Sequence, residues 1–156
     1  MTLKTGQKAP EFTLVSSETE MVNLTDFDGK KVLILFFPLA FTSVCTTELC
    51  TVRDNISQYN DVNAQVLGIS VDSPFTLAKF KEEQKLNFSL LSDFNKEVSR
   101  SYGALYEDFV LGLQGVSKRA AFIVDAKGIL RYTEVLENAG DLPNFAAIND
   151  CLKEID

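Results

Sequence analysis

Val32-Leu33-Ile34-Leu35-Phe36-Phe37-Pro38-Leu39-Ala40-Phe41-Thr42-Ser43-Val44-Cys45 is the stretch that decides how this chain folds. Residues 32–37 form an unbroken apolar run between Gly29-Lys30-Lys31 and Pro38, the pattern of a strand buried on both faces. Pro38 has no N–H to give a sheet ladder and ends the strand. Beyond it the period changes. Cys45, Leu49, Val52, Ile56 and Tyr59 recur at spacings of four, three, four and three, one face of a single helix. Thr42 or Ser43 is its N-cap. A thiol at a helix N-terminus sits where backbone N–H groups and the helix dipole favour negative charge. The thiolate is the form that reacts. Cys45 is therefore either a nucleophile or, sharing its face with Leu49 and Val52, a small buried core residue of the usual free-cysteine kind.

Working outward, Ala9-Pro10-Glu11-Phe12-Thr13-Leu14 reads as a short strand, and residues 65–71 as another. Ser73-Pro74 starts a helix, with Ser73 as cap and Pro74 at the first helical position, and Leu77 and Phe80 follow at helical spacing. Residues 88–91 predict a strand, and residues 93–102 a helix that Gly103 terminates. Residues 120–124 and 129–135 flank Asp125-Ala126-Lys127-Gly128, a hairpin signal. The last helix starts near Pro143 and buries Phe145, Ile148, Leu152 and Ile155. Strands alternating with helices make an α/β chain, here one domain over residues 1–156 with a central mixed sheet and helices on both faces. Residues 103–115 follow neither period. Their apolar side chains either pack under a loop or form a dimer surface.

Composition narrows the chemistry. With 46% hydrophobic and 24% charged residues among 156, the chain is an ordinary globular one. A net charge of −7 argues against nucleic acid or an anionic membrane surface as the main partner. No apolar run approaches a membrane span. Met1-Thr2-Leu3-Lys4-Thr5-Gly6-Gln7 has no apolar signal core, so a cytoplasmic location is expected. The three cysteines, Cys45, Cys50 and Cys151, are an odd number that fits a reduced compartment better than a disulfide framework. There is no histidine. That excludes Cys–His and Ser–His–Asp nucleophiles and His-ligated zinc or haem. Cys45 and Cys50 also lack zinc-loop spacing, so no metal and no cofactor are expected. Activating Cys45 then requires an Arg or Lys, backbone dipoles, or both.

Pro38, Thr42 and Cys45 form the pattern Pro-x-x-x-Thr-x-x-Cys at the strand-to-helix junction. Pro38 shields a thiolate from water. The Thr42 hydroxyl, one turn before Cys45, faces the sulfur and both donates and accepts, which suits a peroxide. The first-turn N–H groups bind a developing oxyanion. Here the chain resembles the peroxiredoxins, thiol peroxidases of thioredoxin-like fold. The likeness extends over residues 9–14, 32–45, Gly68-Ile69-Ser70-Val71-Asp72, Leu90-Leu91-Ser92-Asp93, Tyr102-Gly103 and Arg119-Ala120-Ala121-Phe122-Ile123-Val124-Asp125. It is strongest to the bacterioferritin comigratory protein and alkyl hydroperoxide reductase E branches. The resemblance implies that Cys45 is the peroxidatic cysteine and that Arg119 contacts it and orients peroxide. It also implies that Glu48 supports Arg119 and that Cys50 matches a resolving cysteine. The implied cycle passes through a Cys45 sulfenic acid, with thioredoxin, glutaredoxin or a low-molecular-weight thiol as reductant and a monomer or homodimer as the assembly.

Cys50 has two readings: a resolving thiol, or an inert one with an external thiol in its place. In a regular helix five residues rise about 7.5 Å and turn about 140°, so the Cα atoms stand roughly 8 to 9 Å apart, beyond the reach of a disulfide. A Cys45–Cys50 bond therefore requires part of the helix to unwind. Cys151 reads as a structural boundary residue of the last helix. Two other functions compete with the peroxidase: a thiol–disulfide oxidoreductase, which the missing Cys-x-x-Cys opposes, and a redox-sensing binding module.

Overall fold

The computed structural model describes residues 2–155. In chain order the elements are β1 (Thr13–Ser16), β2 (Met21–Asn23), β3 (Lys31–Phe36), α1 (Ser43–Asp54), α2 (Ile56–Asp61), β4 (Ala64–Ser70), α3 (Pro74–Gln84) and β5 (Ser89–Ser92). They continue with α4 (Glu97–Ser101), β6 (Leu105–Tyr106), β7 (Val116–Ser117), β8 (Ala120–Val124), β9 (Leu130–Val135) and α5 (Phe145–Glu154). Seven strands make one mixed sheet in the order β2-β1-β5-β4-β3-β8-β9, while β6 and β7 pair apart from it. β3, β4 and β5 run parallel, and β8 lies antiparallel to β3.

β3 is interior because both of its faces are apolar. Leu33, Leu35 and Phe37 enter one core, and Val32, Ile34 and Phe36 the other. The first core is completed by Leu49 and Val52 of α1, Tyr59 of α2, Leu77 and Phe80 of α3, and Ile148 and Leu152 of α5. The opposite face is covered by Val98 of α4 and by Tyr102, with Ala9, Phe12 and Leu24 of the N-terminal segment. Helices thus flank both faces, but unevenly. The hairpin is formed as expected, with the Asp125 carboxylate accepting from the N–H groups of Lys127 and Ile129 at 2.9 and 3.0 Å. Ser73 caps α3 by accepting from the Thr76 N–H at 3.1 Å.

The structure corrects several expectations. Residues 9–12 are not in a strand, since the β1 ladder opens at Thr13 and, among the described residues, the only earlier bridge is Lys8 with Ile129. β2 spans three residues, too few to show a period in sequence. The helix expected to run unbroken from Cys45 to Tyr59 stops at Asn55, whose side chain bonds back to Thr51 O at 2.8 Å, and α2 starts afresh. The helix expected over 93–102 is only Glu97–Ser101. Asp93 instead uses its carboxylate to accept from the Val98 and Ser99 N–H groups at 3.2 and 2.6 Å. Gly103 ends α4 as expected: at φ 67 its N–H donates to Arg100 O while the Ala104 N–H donates to Ser99 O, a Schellman end. In the last helix Phe145 is only half-buried, whereas Ile148, Leu152 and Ile155 are buried. Within residues 103–115 Ala104 is buried, but Val110, Leu111 and Leu113 do not pack under a loop, being 62%, 93% and 41% exposed.

Candidate active site

The register of the sheet builds the site. β3 and β8 pair Phe36 with Ala120. The residue before Ala120 therefore lies beside the point where the chain leaves β3 for Pro38, and that residue is Arg119. After Pro38 the chain is pinned by Asp72, whose carboxylate accepts from the Ala40 N–H at 2.8 Å and the Ser70 hydroxyl at 2.7 Å. Phe41 takes the left-handed φ of 66 and sets its ring edge-on to Phe80, 5.2 Å between centroids. This turn delivers Thr42 as the N-cap of α1, so Cys45 falls in the first helical turn.

Cys45 is 1% exposed and Arg119 is likewise 1% exposed. Arg119 Nη2 donates to Cys45 Sγ at 3.3 Å. The guanidinium is held on two further sides, by Nη1 to Glu48 Oε1 at 2.6 Å and by Nε and Nη2 to Ala139 O at 3.3 and 2.9 Å. Glu48 reaches it because it lies three residues after Cys45 on the same face of α1. Glu48 is fully buried, and its Oε2 has no hydrogen-bond partner among the described residues. Burial pushes the Glu48 carboxyl up to about 7, against the pull of Arg119, and Glu134 adds to the rise. For Arg119 burial opposes the charge, but Glu48 and Cys45 outweigh it and hold the guanidinium above its ordinary value. Lys118, its neighbour, instead pairs at the surface with Glu137 at 2.9 Å.

Thr42 lines the same pocket as Cys45, and its hydroxyl proton goes to Leu39 O at 2.7 Å. Toward the site the hydroxyl has only its lone pairs to offer, as an acceptor. Thr42 holds the N-cap position without a side-chain capping bond, and among the described residues no side chain takes the first-turn N–H groups of α1. Pro38, Thr42, Cys45 and Arg119 line one open pocket of about 820 Å³, walled by Tyr106, Phe109 and Val110 and by Glu137–Gly140. A larger groove of about 1120 Å³ lies elsewhere, around Met21, Phe75 and Phe94, and no cysteine lines it. Sequence reasoning missed Asp72 and Ala139. Asn138-Ala139-Gly140 carries only a turn signal, and a backbone carbonyl leaves no residue-type signature.

A family model described as the AhpC/TSA family matches residues 5–133. The chain belongs to this family. Peroxiredoxin Bcp of Escherichia coli (strain K12) is 41% identical over 132 residues, covering 83% of this chain and 84% of that protein. Peroxiredoxin-2 of Bos taurus is 37% identical over 158 residues, covering 95% and 75%. The crystal structure of Peroxidoxin BcpB from Mycobacterium tuberculosis superposes with a TM-score of 0.87 at 28% identity and covers 99% of both chains. The sheet and helices are thus those of a peroxiredoxin, a thioredoxin-like fold.

Not every cysteine of this peroxiredoxin joins the site. Cys50, within the unbroken α1, is half-buried, and its Sγ donates to Gln84 Oε1 at 3.5 Å, at the end of α3. The fold thus turns the two thiols of α1 toward different neighbours, Arg119 and Gln84. Cys151 lies on α5 with its Sγ 3.7 Å from Arg131 O, and burial pushes its thiol up. All three cysteines are free thiols. No helix among the described residues is long and apolar enough to cross a membrane.

Proposed function

We propose that this peroxiredoxin is a thiol-dependent peroxidase in which Cys45 is the nucleophile. The observation that carries this reading is the Arg119 guanidinium 3.3 Å from Cys45 Sγ, itself anchored by Glu48 and Ala139 O at the mouth of α1. The thiolate attacks one oxygen of a hydroperoxide and the O–O bond breaks. The departing oxygen leaves as water or alcohol once protonated, and Cys45 becomes a sulfenic acid. Arg119 and the open first-turn N–H groups stabilise charge on the reacting oxygens. Thr42 accepts a hydrogen bond from the peroxide, and Pro38 screens the sulfur from water. The wall of Val110, Leu111 and Leu113 admits an organic hydroperoxide as well as hydrogen peroxide.

Cys50, or an external thiol, then resolves the sulfenic acid. Thioredoxin, glutaredoxin or a low-molecular-weight thiol closes the cycle. We place the protein in the cytoplasm as one domain, a monomer or a homodimer whose contact uses the exposed Val110–Leu113 surface. Peroxide consumption with each reductant tests the reading. Cys45→Ser is expected to abolish turnover, and wild-type turnover in that variant would sink it. A Cys50→Ser variant that still forms the Cys45 sulfenic acid but loses turnover with thioredoxin, while a low-molecular-weight thiol still supports it, assigns the resolving step to Cys50.

A further inference from the structure

Cys50 lies near the C-terminal end of α1, which stops at Asn55. Three ties hold this end against the terminus of α3. Arg53 Nη1 donates to Gln84 O at 2.5 Å, Asn87 Nδ2 donates to Arg53 O at 3.2 Å, and Cys50 Sγ donates to Gln84 Oε1 at 3.5 Å. Gln84 is the last residue of α3, so its carbonyl is one that no turn of its own helix satisfies. Arg53 supplies that missing donor and puts a cation at the negative end of α3. Asn87 does the same for a carbonyl in the last turn of α1.

We infer that Arg53, Gln84 and Asn87 are positioning residues for the resolving step, forming a clasp that holds Cys50 away from Cys45 until it opens. This rests on the reading of Cys50 as the resolving thiol. Cys45 and Cys50 sit in one regular helix, too far apart to bond. The Cys45 end is the harder to move. Cys45 and Glu48 are buried, and Arg119, which bonds both, is anchored as well by Ala139 O. The Cys50 end is half-buried, lies next to a helix break, and is tied mainly by side-chain hydrogen bonds that water can replace. Opening the clasp frees the last turns of α1 and lets Cys50 swing to the sulfenic acid. Then the S–S bond forms and the S–O bond of Cys45 breaks. The Cys50 thiol proton leaves with the hydroxyl as water, Cys50 being oxidised and the Cys45 sulfur reduced from the sulfenic level. While the clasp is shut, a second peroxide competes for the sulfenic acid and takes it to sulfinic acid.

The test follows the full-length protein after one equivalent of hydrogen peroxide. Sulfenic acid is trapped chemically, and the Cys45–Cys50 disulfide and Cys45 sulfinic acid are read by mass spectrometry over time. Arg53→Ala, Gln84→Ala and Asn87→Ala are each expected to form sulfenic acid at the wild-type rate. Each should close the disulfide roughly fivefold faster, the effect of losing about one net hydrogen bond. Each should also accumulate less sulfinic acid at high peroxide. Arg53→Lys, which still reaches Gln84 O, should stay near wild type. Unchanged or slower disulfide closure in all three alanine variants overturns the clasp. A merely structural role would move thermal stability and leave the ratio of disulfide to sulfinic acid alone. Sulfenic acid without any disulfide in wild type overturns Cys50 as the resolving thiol, and the clasp with it. No sulfenic acid at all overturns the peroxidase reading itself.

Discussion

Lys118 and Arg119 are consecutive cations, each paired with a glutamate, and they behave in opposite ways. Lys118 and Glu137 meet at 2.9 Å with Glu137 largely in solvent. Arg119 and Glu48 meet at 2.6 Å with both side chains sealed from it. Alternation at the start of β8 sends the two to opposite sides. In water an ion pair contributes at most about 1 kcal/mol, because each charge is nearly as well solvated alone. Inside the protein neither charge has that alternative. Breaking the pair strands the survivor, and the surrounding groups must be placed to hold it. The buried guanidinium is also the one next to the thiol. What distinguishes the two pairs is the medium, not the residue types.

The largest effect is expected from Arg119→Ala. Peroxidase turnover should fall by a factor of about 10² to 10³, the usual loss for one preorganised donor on a developing charge. Stability should drop by up to about 3 to 5 kcal/mol, lessened by protonation of the stranded Glu48. Stopped-flow peroxide reduction and denaturant unfolding check both. Arg119→Lys should recover part of the stability but little of the rate. A single ammonium cannot reproduce the fork that bonds Glu48, Cys45 and Ala139 O together.

Glu48→Gln comes next, and its signature is pH dependence. Glu48 is raised from 4.5 to about 7, so its ionisation is harder in the folded state than in the unfolded chain. The stability associated with its neutral form is complete below pH 4.5 and is lost as pH rises through 7, amounting to about 3 kcal/mol. Wild type should therefore lose denaturant midpoint between pH 5 and 8, while Glu48→Gln stays flat over that range. A wild-type midpoint that rises with pH would contradict the burial argument. Lys118→Ala should be the smallest effect, within about 1 kcal/mol of wild-type stability and with unchanged turnover. A large loss of activity there would erase the contrast.

Much of the candidate site could be read along the chain because its parts are local. Pro38, Thr42, Cys45 and Glu48 lie within eleven residues at a strand-to-helix junction, where spacing alone implies proximity. The hairpin and the Ser73 cap were legible for the same reason. What was not legible depends on how side chains compete for backbone groups, which apolar periodicity does not register. The Thr42 hydroxyl turns to Leu39 O, which spacing cannot foresee. The break at Asn55 comes from a side chain competing for backbone, inside an apolar period that continues across it. Asp93 spends its carboxylate on the N–H groups of Val98 and Ser99, and α4 is shorter than its periodicity. Residues 110–113 look like buried material by composition yet face solvent.

By itself the sequence determined that a reactive thiol would have to work without histidine, at the start of a helix leaving a central strand. Side-chain type and short-range periodicity are properties of the chain and need no fold to express them. Family resemblance named Arg119, but only the tertiary structure shows why that cation lies beside the thiol. The pairing of β3 with β8 set Phe36 against Ala120 and so carried Arg119, rather than Lys118, into the interior beside Cys45. It also turned Cys50 toward α3. Register and burial are set by how whole strands and helices pack, and a one-residue shift would exchange the two cations.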